Sequence, residues 1–135
     1  MVTGLSGLVG SRFAALYGDA YTFVNLDLTS GIDITDAASV ETIFADNADA
    51  AAVIHLAAFT NLNAAQEQNG DKTGSCYKVN VTGTQVIAEA AARHKVYLVH
   101  ISTDYVFGGT KPESYIETDQ PQPIEWYGET KYYRF

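Results

Sequence analysis

Val2-Thr3-Gly4-Leu5-Ser6-Gly7-Leu8-Val9-Gly10 opens the chain with a glycine at every third position after a short apolar stub. A turn of this kind between a strand and a helix lets backbone approach a pyrophosphate, which side chains would block. The helix behind it offers free N–H groups and a partial positive charge to phosphate oxygens. Ser6, Gly7 and Leu8 would line that cradle. The spacing departs from G-x-G-x-x-G, and the same glycines would also serve a tight turn packing helix on sheet. The residues downstream therefore have to carry part of the reading.

Working outward, Leu8 to Tyr17 places apolar residues at 8, 9, 13, 16 and 17, a helical spacing that Gly18 ends. Tyr21 to Leu26 is rich in aromatic and branched residues and reads as a strand. Thr35 or Asp36 caps the next helix, with Val40, Ile43 and Phe44 on one face. Ala51 to Ala57 is a short apolar run, as for a strand buried on both faces. Ser75 to His94 reads as one helix with Cys76, Val79, Gly83, Val86, Ile87, Ala90 and Ala91 along a stripe. Val96 to Ser102 is a second buried strand. Gly108 to Pro123 holds all three prolines and reads as a loop. Helix resumes near Tyr127, and Tyr132 to Phe135 fall inside it.

This alternation predicts an α/β fold, a Rossmann-like doubly wound parallel sheet with helices on both faces. Such sheets bind ligands at the carboxyl ends of their strands. Gly4 to Gly10, Asp27, Ala57 to Thr60 and Ser102 to Asp104 all fall there.

The 135 residues make one domain, 47% apolar and only 18% charged. Three residues before the first glycine, and a helix still running at Phe135, read as part of a longer protein. The net charge of −8 argues against a nucleic-acid or anionic-membrane partner, which needs a basic face. One cysteine, Cys76, permits no internal disulfide. No membrane-length run and no leader peptide is evident, so the expected setting is cytoplasmic.

Asp27 follows the loop by about 20 residues, where a carboxylate accepts ribose hydroxyls and repels a 2′-phosphate. That favours NAD over NADP. Asp33 and Ile34 would flank the adenine, or Asp33 begins the turn before the helix. Tyr127 and Lys131 share a helix face, and an ammonium beside a phenol lowers the phenol pKa. Such a tyrosine exchanges a proton with a carbonyl or alcohol oxygen. Thr103, ending a strand, is placed to hold that oxygen. His55, His94 and His100 lack ligand spacing, so no metal is expected, and His55 and His100 read as core or near-core groups. Cys76 lies on an apolar stripe without an activating partner. Trp126 either packs beneath the substrate loop or stacks on a ligand.

The segments VTGLSGLVG (2–10), DITD (33–36), VIHLAAFT (53–60), YKVNVTGT (77–84), HISTDYVFGGT (100–110) and YGETK (127–131) together resemble the extended short-chain dehydrogenase/reductase family. The resemblance is to the branch of dTDP-4-dehydrorhamnose reductases and related sugar-nucleotide enzymes, and it covers nearly the whole chain. It implies that residues 1–135 form an NAD(P)-binding domain. Gly4, Gly7 and Gly10 would be its loop glycines, and Ala57 and Ala58, with Thr60, the turn beside the nicotinamide ribose. Asn80 would order the active site. Thr103, Tyr127 and Lys131 would be the catalytic trio, with Lys131 also on the ribose. Thr103, Asp104 and Tyr127 would meet the substrate.

The implied activity is NAD(P)H-dependent reduction of a 4-keto nucleotide sugar. The alternatives are a nucleotide-sugar epimerase or dehydratase, or a dinucleotide-binding subunit without catalysis. Tyr105 after Asp104, where dehydratases carry Glu, leans against dehydration. A homodimer is compatible with this reading. The chain departs from the branch at His55 to Thr60, at Asn63 and Ala64, and in a longer loop from Gln66 to Tyr77.

Overall fold

The computed structural model describes residues 1–133. The expected helical character of Arg134 and Phe135 lies outside them. Three parallel strands form the sheet in the order β1 (Val2–Thr3), β2 (Ala52–His55), β3 (Tyr97–His100). Thr3 is level with His55, and His55 with His100, so all three strands finish along one edge.

The strand expected over Tyr21 to Leu26 reduces to a single parallel bridge between Val2 and Asn25. Val2 donates its N–H to the Val24 carbonyl and accepts from the Leu26 N–H, both at 2.9 Å. The cause is the partner: β1 is two residues long, so residues 21–23 have no backbone to pair with.

Side chains alternate along β2 and divide the molecule into layers. Val53 faces a closed core with Leu26, Val40, Phe44, Ile87 and Ala90, all fully buried beneath α2 (Ala37–Asp46) and α5 (Thr84–His94). Asp36 caps α2, accepting from the Ala38 and Ser39 N–H groups. On the opposite face lies α1 (Leu8–Tyr17), where Phe13 packs on Phe23 at 5.3 Å between ring centroids. That face is open: Leu8, Leu16 and Tyr97 are exposed. A cavity of about 560 Å³ between α1 and the N-terminal ends of the strands is lined by Phe13, Tyr17, Phe23, Val24 and Ile54.

Two local features differ from expectation. A short helix, α3 (Leu62–Gln66), capped by Asn61, follows the turn after β2. The long helix is also interrupted. It begins as α4 (Ser75–Tyr77), widens to a π-helical segment over Lys78–Gly83, and continues as α5. Gly83 sits against Ile34 so tightly that a Cβ would lie 2.7 Å from the Ile34 Cδ1. Asn80, within the widened turn, is held from outside the helix. Such π-bulges recur at functional sites. The last helix, α6 (Trp126–Tyr132), packs on this region and on the 3₁₀ turn Asp104–Val106.

Candidate active site

The glycine loop lies at the carboxyl edge of the sheet. Gly4 has φ +70°, and a Cβ there would stand 2.8 Å from the Ala57 nitrogen, so two constraints exclude a side chain. The Asp27 carboxylate secures the loop from across the sheet edge. It accepts N–H groups from Gly4, from Leu5 at 3.2 Å and from Ser6 at 2.7 Å. Asp27 is therefore a cap on the loop, a role the sequence did not suggest. Ser6 Oγ and Thr29 Oγ1, 2.8 Å apart, extend the contact.

Beyond this anchored part, the N-terminus of α1 is open. Gly7 at its N-cap supplies no side-chain bond, and no acidic residue occupies the first turn. Leu8 is 91% exposed. The first N–H groups of a helix have no intrahelical acceptor, so this end suits a phosphate. The residues fit a dinucleotide: Gly4, Ser6, Gly7 and Leu8 would surround its pyrophosphate, while Gly10 is buried against the loop, where a Cβ would lie 2.2 Å from the Gly4 carbonyl oxygen.

The Asp33 and Ile34 side chains go elsewhere. Asp33 Oδ1 accepts from the Thr35 N–H and hydroxyl, both at 2.8 Å, forming the turn before α2. Ile34 is buried in the core. Its side chain packs over Gly83, so only its backbone is left to face a ligand at this position.

Ala57 and Ala58 form the turn after β2, and Thr60 is exposed beyond them. The Ala57 N–H donates to Thr3 Oγ1 at 3.1 Å, and Thr3 Oγ1 lies 2.6 Å from His55 Nδ1. His55 Nε2 is 3.0 Å from Thr84 Oγ1 on α5. His55 thus ties the strand entering the glycine loop to the turn and to α5. Burial first, then the charges of His100 and Lys131, lower its pKa to about 3. It is a satisfied core group, as expected, whereas His100 is exposed and stacks on it at 5.4 Å.

Asn80 lies beneath the same turn. Its Oδ1 accepts the Phe59 N–H at 2.7 Å, and its Nδ2 donates to the Phe59 carbonyl at 3.2 Å and to Thr130 Oγ1 at 3.0 Å. Both ends of the amide are engaged within the protein. It holds the turn after β2 from beneath.

Thr103 and Tyr127 meet where β3 ends and α6 begins, and Lys131 lies one turn further along α6. Thr103 caps the 3₁₀ turn, accepting the Tyr105 N–H at 3.3 Å, and its hydroxyl donates to Asp104 Oδ1 at 3.2 Å. Glu125 caps α6, its two oxygens accepting the Tyr127 and Gly128 N–H groups at 2.9 and 2.8 Å. A Cβ at Gly128 would fall 2.3 Å from the Tyr105 carbonyl oxygen, so glycine there lets α6 meet the turn that carries Thr103. The Tyr105 ring stands edge-on to Tyr127 at 5.8 Å.

The electrostatics correct one expectation. Burial raises the Tyr127 pKa above the ordinary tyrosine value, and the nearby Thr103 hydroxyl works against that rise. Glu125, Asp104 and Cys76 push it further up. Lys131 does not lower it. Burial lowers the pKa of Lys131 itself, and its charge is felt at His100 and His55. Sharing a helix face fixes the direction of the Cα–Cβ bonds, not where a long ammonium ends.

Cys76 is buried, and burial raises its pKa. Trp126 is buried with Ala65 and Cys76 and stacks on Tyr77 at 6.2 Å, so it packs beneath the site.

A family model described as RmlD substrate binding domain matches residues 1–133. The chain belongs to this RmlD family. A dTDP-4-dehydrorhamnose reductase of Aggregatibacter actinomycetemcomitans is 39% identical over 133 residues, 97% of this chain and 43% of that protein. Among solved structures, a dTDP-4-dehydrorhamnose reductase from Bacillus anthracis in complex with NADP is 32% identical with a TM-score of 0.84. The match covers 97% of this chain and 45% of that one. A UDP-glucose 4-epimerase from Brucella ovis in complex with NAD is 27% identical with a TM-score of 0.82, covering 96% and 43%. The RmlD-family chain thus spans less than half the length of these relatives and shares their Rossmann-like fold. No helix among its described residues is long and apolar enough to cross a membrane.

Asp27 as loop cap, Glu125 and Thr130 were not singled out from sequence. Asp27 and Thr130 act through side-chain bonds to partners far away in sequence, which no local spacing reveals. Glu125 alone had a signal, an acidic residue just before a helical stretch.

Proposed function

We propose that this chain is the NAD(P)-binding half of a reductase acting on a 4-keto nucleotide sugar. The observation that carries the reading is the pairing of an open α1 N-terminus with a Thr103–Tyr127 cluster on the same sheet edge. The RmlD-family relatives named as nucleotide-sugar reductases support the substrate class.

When bound, a nicotinamide dinucleotide supplies the hydride for a carbonyl carbon. The loop from Gly4 to Gly10 and the α1 N-terminus would hold its phosphates. Asp27 would accept its ribose hydroxyls, and Lys131 would hold the nicotinamide ribose beside Ala57, Ala58 and Thr60. Residues 25–31 contain no Lys or Arg to neutralise a 2′-phosphate, which supports NAD as the preferred form. Thr103 holds the substrate oxygen, and Tyr127 donates its phenolic proton to that oxygen. A phenol with a raised pKa is protonated at neutral pH, which suits it to act as an acid in the direction of reduction.

The test is Tyr127→Phe in the intact protein, with NADH and dTDP-4-keto sugars as substrates. Cofactor affinity is expected to stay unchanged, while kcat falls about 100- to 10,000-fold. Undiminished turnover would overturn the role of Tyr127. Protein purified with NAD firmly retained would point instead to an epimerase or dehydratase, which regenerates its cofactor in place.

A further inference from the structure

We propose that Thr130 is a positioning residue that sets Tyr127 and Lys131 relative to the turn after β2. The proposal deepens the reductase reading and rests on it for the catalytic readout. Thr130 is only 2% exposed and lies between the two residues whose placement the chemistry needs. Its hydroxyl donates to the Tyr127 carbonyl at 2.8 Å and accepts from Asn80 Nδ2 at 3.0 Å. Cys76 Sγ is 3.6 Å from the same oxygen. One hydroxyl thus joins the helix that carries Tyr127 to the amide that grips the Phe59 peptide at both ends.

The arrangement matters because α6 has little stability of its own. It comprises seven residues, Trp126–Tyr132, too few for a helix to persist unaided. Glu125 closes its first turn from the N-terminal side. Thr130 fixes its rotation from the inner side, against the π-helical segment. Without the hydroxyl, the Asn80 Nδ2 keeps only the Phe59 carbonyl as a good acceptor, and the Tyr127 carbonyl loses its side-chain partner. The helix is then free to roll, which swings the Tyr127 phenol and the Lys131 ammonium together. The glycine loop and α1 do not touch Thr130, so cofactor phosphate binding should be spared.

Thr130→Val keeps the shape and removes the hydroxyl, and Thr130→Ser keeps the hydroxyl. In the intact protein, Thr130→Val is expected to lower kcat about 10- to 100-fold and to weaken NADH binding by a smaller factor, through the displaced Lys131 alone. Thr130→Ser should recover most of the loss. A second readout needs no turnover: the carbon-13 signal of the Tyr127 ring, assigned with Tyr127→Phe, should shift in Thr130→Val and return in Thr130→Ser. Wild-type kcat together with an unmoved Tyr127 signal in Thr130→Val would overturn the proposal. So would parallel loss of kcat, NADH affinity and stability without rescue by serine. If wild type turns over no nucleotide sugar, the reductase reading fails, and the Tyr127 signal still decides the role of Thr130.

Discussion

The N-terminus of α1 carries no side-chain cap, whereas that of α6 is closed by both oxygens of Glu125. Both ends lie on the site's side of the molecule, and both have the orphan N–H groups common to all helices. At α6 the protein uses those groups to fix a short helix and the phenol it bears. At α1 it leaves them open and anchors the preceding loop from the side, through Asp27. The difference separates a helix end left open from one closed to hold a residue in place.

The largest effect should come from closing the open end. Leu8→Asp places a carboxylate in the first turn of α1 at a position with almost no packing to lose. It should leave the melting temperature unchanged or slightly raised, because a negative charge suits a helix N-terminus. It should weaken NADH binding on the order of 10- to 100-fold by repelling the pyrophosphate. Unchanged affinity in a titration would show that the phosphates bind elsewhere.

The converse variant opens the closed end. Glu125→Ala should destabilise the protein by about 1 kcal/mol, the usual worth of a cap, and lower kcat more than it lowers cofactor affinity. Glu125→Gln adds a sign. The carboxylate helps to raise the Tyr127 pKa, so its removal lowers that pKa. An acid must be protonated to act, so the alkaline fall in reduction rate should begin at lower pH in Glu125→Gln than in wild type. A fall that starts at the same or higher pH would exclude Tyr127 as the acid.

A smaller, pH-dependent effect tests the anchoring of the strand that enters the glycine loop. His55 is held neutral between Thr3 and Thr84, with a folded pKa of about 3 against an ordinary 6.5. The unfolded chain therefore binds more protons between those values. This contribution to stability is complete above pH 6.5 and is lost as pH falls toward 3. Its slope is at most about 1.4 kcal/mol per pH unit. Urea unfolding at a series of pH values should show this acid sensitivity, and His55→Gln should flatten it. An equal slope in the variant would mean that other groups cause it.

Much of the fold was legible because it follows local rules. Leu8 to Tyr17, the Asp36 cap and the run around Val53 each follow from spacing or capping over a few residues. The Tyr21 to Leu26 strand was not, because its length depends on what β1 can pair with. The π-helical turn escaped notice because the apolar stripe from Cys76 to Ala91 survives one widened turn. In the site, Thr103, Tyr127 and the loop glycines fall where motif and strand end together place them. What spacing could not show was the destination of long or branched polar groups. Asp27 turns back onto the loop, and Thr130 reaches Asn80. Each depends on side-chain reach between segments far apart in sequence.

The central claim, that the open α1 end holds a nicotinamide dinucleotide, is tested most directly by calorimetric titration of NADH and NADPH into the intact protein and its Leu8→Asp variant. The account predicts that wild type binds NADH, and binds it more tightly than NADPH, and that Leu8→Asp weakens both. Failure of wild type to bind either cofactor, or binding that Leu8→Asp leaves untouched, would contradict it.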